Sequence, residues 1–161
     1  MVVPTLDQAI GAVVARFPEV QVAYLFGSVA RGTDRPDSDL DVGVVYRRDA
    51  ATEELHSRLA PLIASALARA TGRQQVDVVD LAAQGAIFCL AVLTDGRLIH
   101  QADRRRRVDF EADTMSRAHD FRPTHEIATR GKVAGLRRWL RRRYDLQSDP
   151  IQARRPEGKP R

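Results

Sequence analysis

Along most of the chain, apolar positions alternate between helical spacing and short β-branched runs. Leu6, Ile10, Val13 and Val14 share one face of a predicted helix over 5–16, with Thr5 placed as its N-cap and Pro18 ending it. The run VQVAYLF (20–26) is β-branched and aromatic and predicts a strand. GSVARGTDRPDS (27–38) is rich in Gly, Ser, Pro and Arg, so it predicts a loop with one helical turn at its start. DLDVGVVY (39–46) predicts a second strand. Residues 51–70 then place Leu55, Leu59, Leu62, Ile63, Ala66, Leu67 and Ala70 on one helical stripe. Pro61 falls inside that stripe and predicts a kink or two shorter helices.

Gly72 ends the stripe, and QVDVVD (75–80) predicts a third strand. Asp80 is placed to cap a helix over 82–93, and Asp95-Gly96 marks a turn into the short strand or edge piece RLIH (97–100). Two further helices are predicted over 103–119 and 125–144, parted at Arg122-Pro123. The expected fold class is therefore α/β (α+β): a small sheet with three core strands, flanked by helices and followed by C-terminal helices. Domain boundaries are expected at 1–145 for the folded part and 146–161 for a basic, disordered tail, because the last stretch has three prolines and little that is apolar.

Composition narrows the class further. At 161 residues with 43% hydrophobic content, one domain with a real core is expected. No apolar run approaches the length of a membrane span, and the N-terminus lacks the layout of a signal peptide, so no membrane contact and a cytoplasmic location are expected. The single cysteine, Cys89, lies in the apolar run AIFCLAVL and is expected to be a buried hydrophobe. Charge is uneven. Residues 130–161 hold 11 Lys/Arg against 3 Asp/Glu, whereas residues 1–129 hold 15 against 18. The four histidines (His56, His100, His119, His125) form no metal-ligand spacing and are expected to be surface or capping residues.

Three carboxylates stand out against this background. Asp39 and Asp41 are at i and i+2, so in a strand both side chains leave the same face while Leu40 and Val42 point into the core. Two such carboxylates repel unless a divalent cation or a shared proton relieves them. Asp77 sits alone among Val76, Val78 and Val79 and also needs a partner. If its strand neighbours the second, it completes a three-oxygen cluster suited to Mg²⁺ or Mn²⁺. Asp80 competes for the third place, but capping explains it better. Upstream, Gly27-Ser28 follows a strand directly, where a bend, exposed amides and a hydroxyl can hold phosphate oxygens. Arg31 and Arg35 lie in the same loop. A phosphate turn followed by a metal-binding carboxylate pair is what nucleotidyl transfer needs.

Gly27-Ser28, ten residues, then Asp39-Leu40-Asp41 matches the GS-x10-DxD signature of the polymerase-β-like nucleotidyltransferases. GSVARGTDRPDSDLDVGV resembles in particular the minimal nucleotidyltransferase (MNT) antitoxins of HEPN/MNT toxin–antitoxin pairs, and QVDVVDL resembles the strand bearing their third carboxylate. The resemblance covers about residues 5–100 and extends weakly over 101–125. It implies that family's small mixed sheet. It also implies Asp39, Asp41 and Asp77 as catalytic carboxylates and metal ligands, and Gly27 and Ser28 as nucleotide contacts, to which Arg31 of the same loop is added as a candidate. Asp77 can then also serve as the base. The implied activity is transfer of AMP from ATP to a hydroxyl, with a tyrosine of a cognate HEPN-type toxin as acceptor. An antitoxin acting by binding alone, and a transferase acting on a small molecule such as an aminoglycoside, remain alternatives. The helix at 125–144 sets Val133, Leu136, Leu140 and Tyr144 beside Trp139 against an arginine-rich remainder; it is expected to dock on the domain through that apolar stripe, and of the functional alternatives a protein partner is favoured over an RNA contact.

Overall fold

The computed structural model describes residues 4–128 apart from 36 and 51, with side chains given up to residue 120. It divides into compact units Met1–Thr124 and His125–Arg161, and the account below concerns the first. Most of the second helix expected at 125–144, and all of the tail expected at 146–161, lie outside the described residues.

Helix α1 (Leu6–Val14) begins with a capping box, in which the Thr5 hydroxyl accepts from the Gln8 amide and the Gln8 side chain accepts from the Thr5 amide. Strand β1 (Val20–Phe26) leads into the one-turn helix α2 (Gly27–Arg31), and a loop returns the chain along β2 (Leu40–Tyr46). Helix α3 (Glu53–Thr71) crosses to β3 (Val76–Asp80). A 3₁₀ turn (Leu81–Ala83), helix α4 (Ala86–Asp95), strand β4 (Arg97–Gln101) and helix α5 (Arg104–Ala128) complete the described chain.

The strand order is β3-β2-β1-β4. β1 pairs antiparallel with β2 and with β4, whereas β2 and β3 run parallel, so the sheet is mixed. The parallel pair follows from α3, since parallel neighbours need a long crossover rather than a hairpin. One face carries the larger core: Ile10, Val13 and Val14 of α1 and Leu59, Ile63, Ala66 and Leu67 of α3 pack on Ala23, Leu25, Leu40, Val42 and Val44. Each fully buried Leu or Ile contributes about 1.5–3 kcal/mol to that layer. The other face is covered by Leu81, α4 and α5. There Phe26 meets Phe88 edge-on at 5.7 Å between centroids, and the Tyr24 hydroxyl donates to Glu111 at 2.7 Å. All seven residues of β2 are buried, because it is interior to the sheet and covered on both sides.

Several expectations needed correction. β2 begins at Leu40, which leaves Asp39 just ahead of the strand. α3 is one helix with Pro61 on its exposed side, because buried Leu59 and Ile63 anchor it on both flanks of the proline. α4 starts at Ala86, since the Asp80 carboxylate caps the 3₁₀ turn instead. α5 runs through Pro123: once a helix is nucleated, one proline removes one hydrogen bond at about 3 kcal/mol and need not restart it. The short strand or edge piece expected at 97–100 does form, as an edge strand paired with β1. Cys89 is fully buried as expected, and burial pushes its thiol up to about 11, far from a reactive range.

Candidate active site

β1 ends where β2 begins, and the antiparallel register sets Phe26 opposite Asp41. Gly27 follows at once with φ +77°, a backbone conformation that a side chain strains. A Cβ on Gly27 would run into the Asp41 carboxylate, whose Cγ would lie only 3.2 Å away. The bend at Gly27 therefore packs directly onto Asp41. No side chain caps α2, whose first turn carries the half-buried Ser28. Arg31 is exposed in the last turn of α2.

Asp41 is 4% exposed, in a strand otherwise made of Leu, Val, Gly and Tyr. Burying a carboxylate is costly, so a fold selected for stability alone would place valine there. Parallel register sets Asp41 beside Asp77 on β3, on the same face and about 4.8 Å apart between strand axes. Asp77 is exposed because β3 is an edge strand. Asp39 is exposed one residue before β2. The structure thus brings Gly27, Ser28, Asp41 and Asp77 together, with Asp39 at the mouth of the same strand end.

Among the described residues no three His, Cys, Asp or Glu side chains are gathered closely enough to hold a metal ion. The donor chemistry still fits a hard divalent cation. All three candidates are carboxylates at one end of adjacent strands, with Asp41 in register beside Asp77.

Asp80 is set apart from this group. It pairs in register with Val44, on the α3 face, where its Oδ2 lies 2.6 Å from His56 Nδ1 and its Oδ1 accepts from the Ala82 amide at 3.0 Å. His56 is not the surface residue expected: it stacks on Tyr46 at 4.1 Å between ring centroids and is largely enclosed. Asp80→Asn should cost about 1–3 kcal/mol of stability by weakening this pair. Transfer activity per folded molecule should stay near wild type, which a melting curve beside a transfer assay checks.

One contributor escaped the sequence pattern. The Arg73 guanidinium donates to Asp34 Oδ2 at 2.6 Å and to the carbonyls of Arg35 and Ser38 at 3.1 and 3.2 Å. It ties the loop between Ser28 and Asp39 to the entrance of β3. Because β2 and β3 are parallel, the segments preceding both strands lie at the same end of the sheet, and Leu40 donates to the Gln75 carbonyl there at 3.0 Å. No local signal announces this, since the partners are 35 to 39 residues apart. Arg73→Ala should lower stability by about 1–3 kcal/mol and transfer at saturating ATP by about tenfold or more. Arg73→Lys should not restore either quantity, as one ammonium cannot span three acceptors spread along the loop.

A family profile described as Polymerase beta, Nucleotidyltransferase matches residues 8–105. The protein adenylyltransferase MntA of Shewanella oneidensis is 36% identical over 80 residues, which are 50% of this chain and 53% of that protein. The chain thus spans about half the length of this curated relative. Among solved structures, a toxin–antitoxin crystal structure with AMP-PNP superimposes with a TM-score of 0.61 at 25% identity, covering 75% of this chain and 93% of the matched one. A complex of tri-AMPylated Shewanella oneidensis HEPN toxin with MNT antitoxin gives a TM-score of 0.56 at 21% identity over 76% of this chain and 94% of the other, a likeness of fold.

Proposed function

The chain belongs to the polymerase beta nucleotidyltransferase family, and from that premise we propose that it transfers AMP from ATP to a hydroxyl, with a tyrosine of a cognate HEPN-type toxin as acceptor. The observation that carries the chemistry is the glycine turn seated on a buried Asp41, in register with Asp77. The relative named as an adenylyltransferase and the toxin–antitoxin structure with AMP-PNP support the nucleotide and the partner.

Each residue has a distinct task. The bend at Gly27 lets the backbone approach the triphosphate, and the Ser28 hydroxyl donates to a phosphate oxygen. Arg31 adds positive charge to the same end. Asp39, Asp41 and Asp77 would hold Mg²⁺ or Mn²⁺, which when bound neutralises phosphate charge. The acceptor oxygen bonds to the α-phosphorus as the bond to pyrophosphate breaks. Asp77, the most accessible carboxylate of the in-register pair, takes the hydroxyl proton on its carboxylate oxygen. Ser28→Ala should raise KM for ATP about 10- to 100-fold with a smaller fall in kcat, the loss of one hydrogen bond to a charged oxygen.

Incubation with ATP, Mg²⁺ and the purified toxin, followed by intact mass measurement, tests the acceptor. Gain of AMP-sized increments on the toxin is the expected result. A stable complex with no increments would identify an antitoxin that acts by binding. Increments on an added aminoglycoside and none on the toxin would identify a small-molecule transferase.

A further inference from the structure

At the opposite end of the sheet, roughly 20 Å from Gly27 by the length of a seven-residue strand, lies a cavity of about 490 Å³. Its charged lining is Arg47, Arg48, Arg105 and Arg106 with Asp49, Asp103 and Asp109. That volume falls within the range of sites for small molecules.

Among the described residues, ion pairs account for Arg47 and Arg48 but not for Arg105 and Arg106. Arg104 to Arg107 fill the first turn of α5, which holds no acidic residue, and the positive end of the helix dipole disfavours cations there. The carboxylates nearby are already engaged. Asp103 accepts from the amides of Arg105 and Arg106 at 2.8 and 3.1 Å, Asp49 pairs with Arg47 at 2.7 Å, and Asp109 faces Arg48 at 3.4 Å. Arg106 is held in place by its Nε donating to the Tyr46 carbonyl at 3.1 Å. Burial and the neighbouring Arg48 push its guanidinium down from its ordinary value. Arg106 is thereby partly buried beside Arg48 in a hollow whose arginines outnumber its carboxylates by four to three, an excess that an anion relieves.

We propose that this cavity is a second anion site, separate from the transfer site, that takes a compact, multiply charged phosphate. Two features favour a compact ligand over a nucleic-acid strand. Among the described residues the basic lining is interrupted by Asp49 and Asp109 and includes no aromatic side chain on which bases stack. The guanidiniums of Arg48, Arg105 and Arg106 supply forked donors to phosphate oxygens.

Residue-resolved NMR of the full chain, titrated with inorganic pyrophosphate without divalent cations, tests the assignment. Saturable shifts are expected at the amides of residues 47–49 and 103–109. Half-saturation should rise about tenfold or more in Arg48→Gln/Arg105→Gln, two exposed positions, and stay unchanged in Ser28→Ala. A parallel titration with ADP separates the sources: tighter binding than pyrophosphate names a nucleotide, and equal or weaker binding names the free anion. Shifts absent from these amides, confined to residues 27–31 or to the basic C-terminal end, would overturn the proposal. So would a short single-stranded RNA that binds these amides more tightly than pyrophosphate.

Discussion

Asp41→Asn is expected to remove transfer while leaving the fold in place. Among the described residues only Asp41 and Thr114 are buried polar side chains in the core, and Asp41 alone faces the glycine turn. The amide matches the carboxylate in shape, so Gly27 keeps its seat and β2 keeps its register. What is lost is a full negative charge where a divalent cation and phosphates meet. We expect kcat to fall by roughly 10³-fold or more, equivalent to about 4 kcal/mol of transition-state stabilisation. The melting temperature should stay within about 4 °C of wild type, or about 1 kcal/mol. Activity lost together with a collapsed melting temperature would show that Asp41 holds the sheet together instead. Asp77→Asn should follow the same pattern with an even smaller change in stability, because Asp77 is exposed on an edge strand.

Gly27→Val is expected to damage both stability and function. Two independent costs combine at this position. A β-branched residue at φ +77° carries about 1–2 kcal/mol of backbone strain, and a side chain driven into the Asp41 carboxylate adds about 1–3 kcal/mol of overpacking. The displaced turn can no longer approach a triphosphate, so ATP binding should be lost. Gly32 provides an internal control. It has φ +69° at the end of α2, but nothing lies within 4 Å of where its Cβ would be. Gly32→Ala should therefore cost only the backbone strain and retain ATP binding, whereas Gly27→Ala should cost visibly more and weaken binding. Paired denaturation curves and ATP titrations distinguish conformational strain from close approach. Equal losses at the two glycines would mean that the seat on Asp41 is unimportant.

How much of this was legible in the chain depended on how local the cause was. The N-cap at Thr5, the β-branched runs of β1 and β2, and most of the helical stripe of α3 are written in neighbouring residues and form, although β2 starts one residue late and Leu62 and Ala70 of that stripe are exposed. The spacing from Gly27-Ser28 to Asp39-Leu40-Asp41 is also local, because one antiparallel return places Phe26 opposite Asp41. Asp77 needed one further condition, that β3 lie beside β2. The register meets it and moves Asp80 to the other face, against His56. The parallel pairing also determines Arg73, whose partners lie far upstream and leave no periodic trace. Prolines misled for the opposite reason. Pro61 and Pro123 carry strong local breaking tendencies, but packing on both flanks, or continued propagation, overrides them. The arginine cavity combines a segment after β2 with the start of α5, so its residues look like scattered surface charge until folded.

The account stands most directly on where the phosphorus of ATP goes. ATP labelled at the α-phosphorus, and separately at the γ-phosphorus, should be incubated with Mg²⁺, the toxin and either the wild-type chain or Asp41→Asn. The account predicts α-label covalently attached to the toxin with wild type, none from the γ-position, and loss of labelling with Asp41→Asn. Label arriving from the γ-phosphorus, or α-label undiminished in Asp41→Asn, would contradict it.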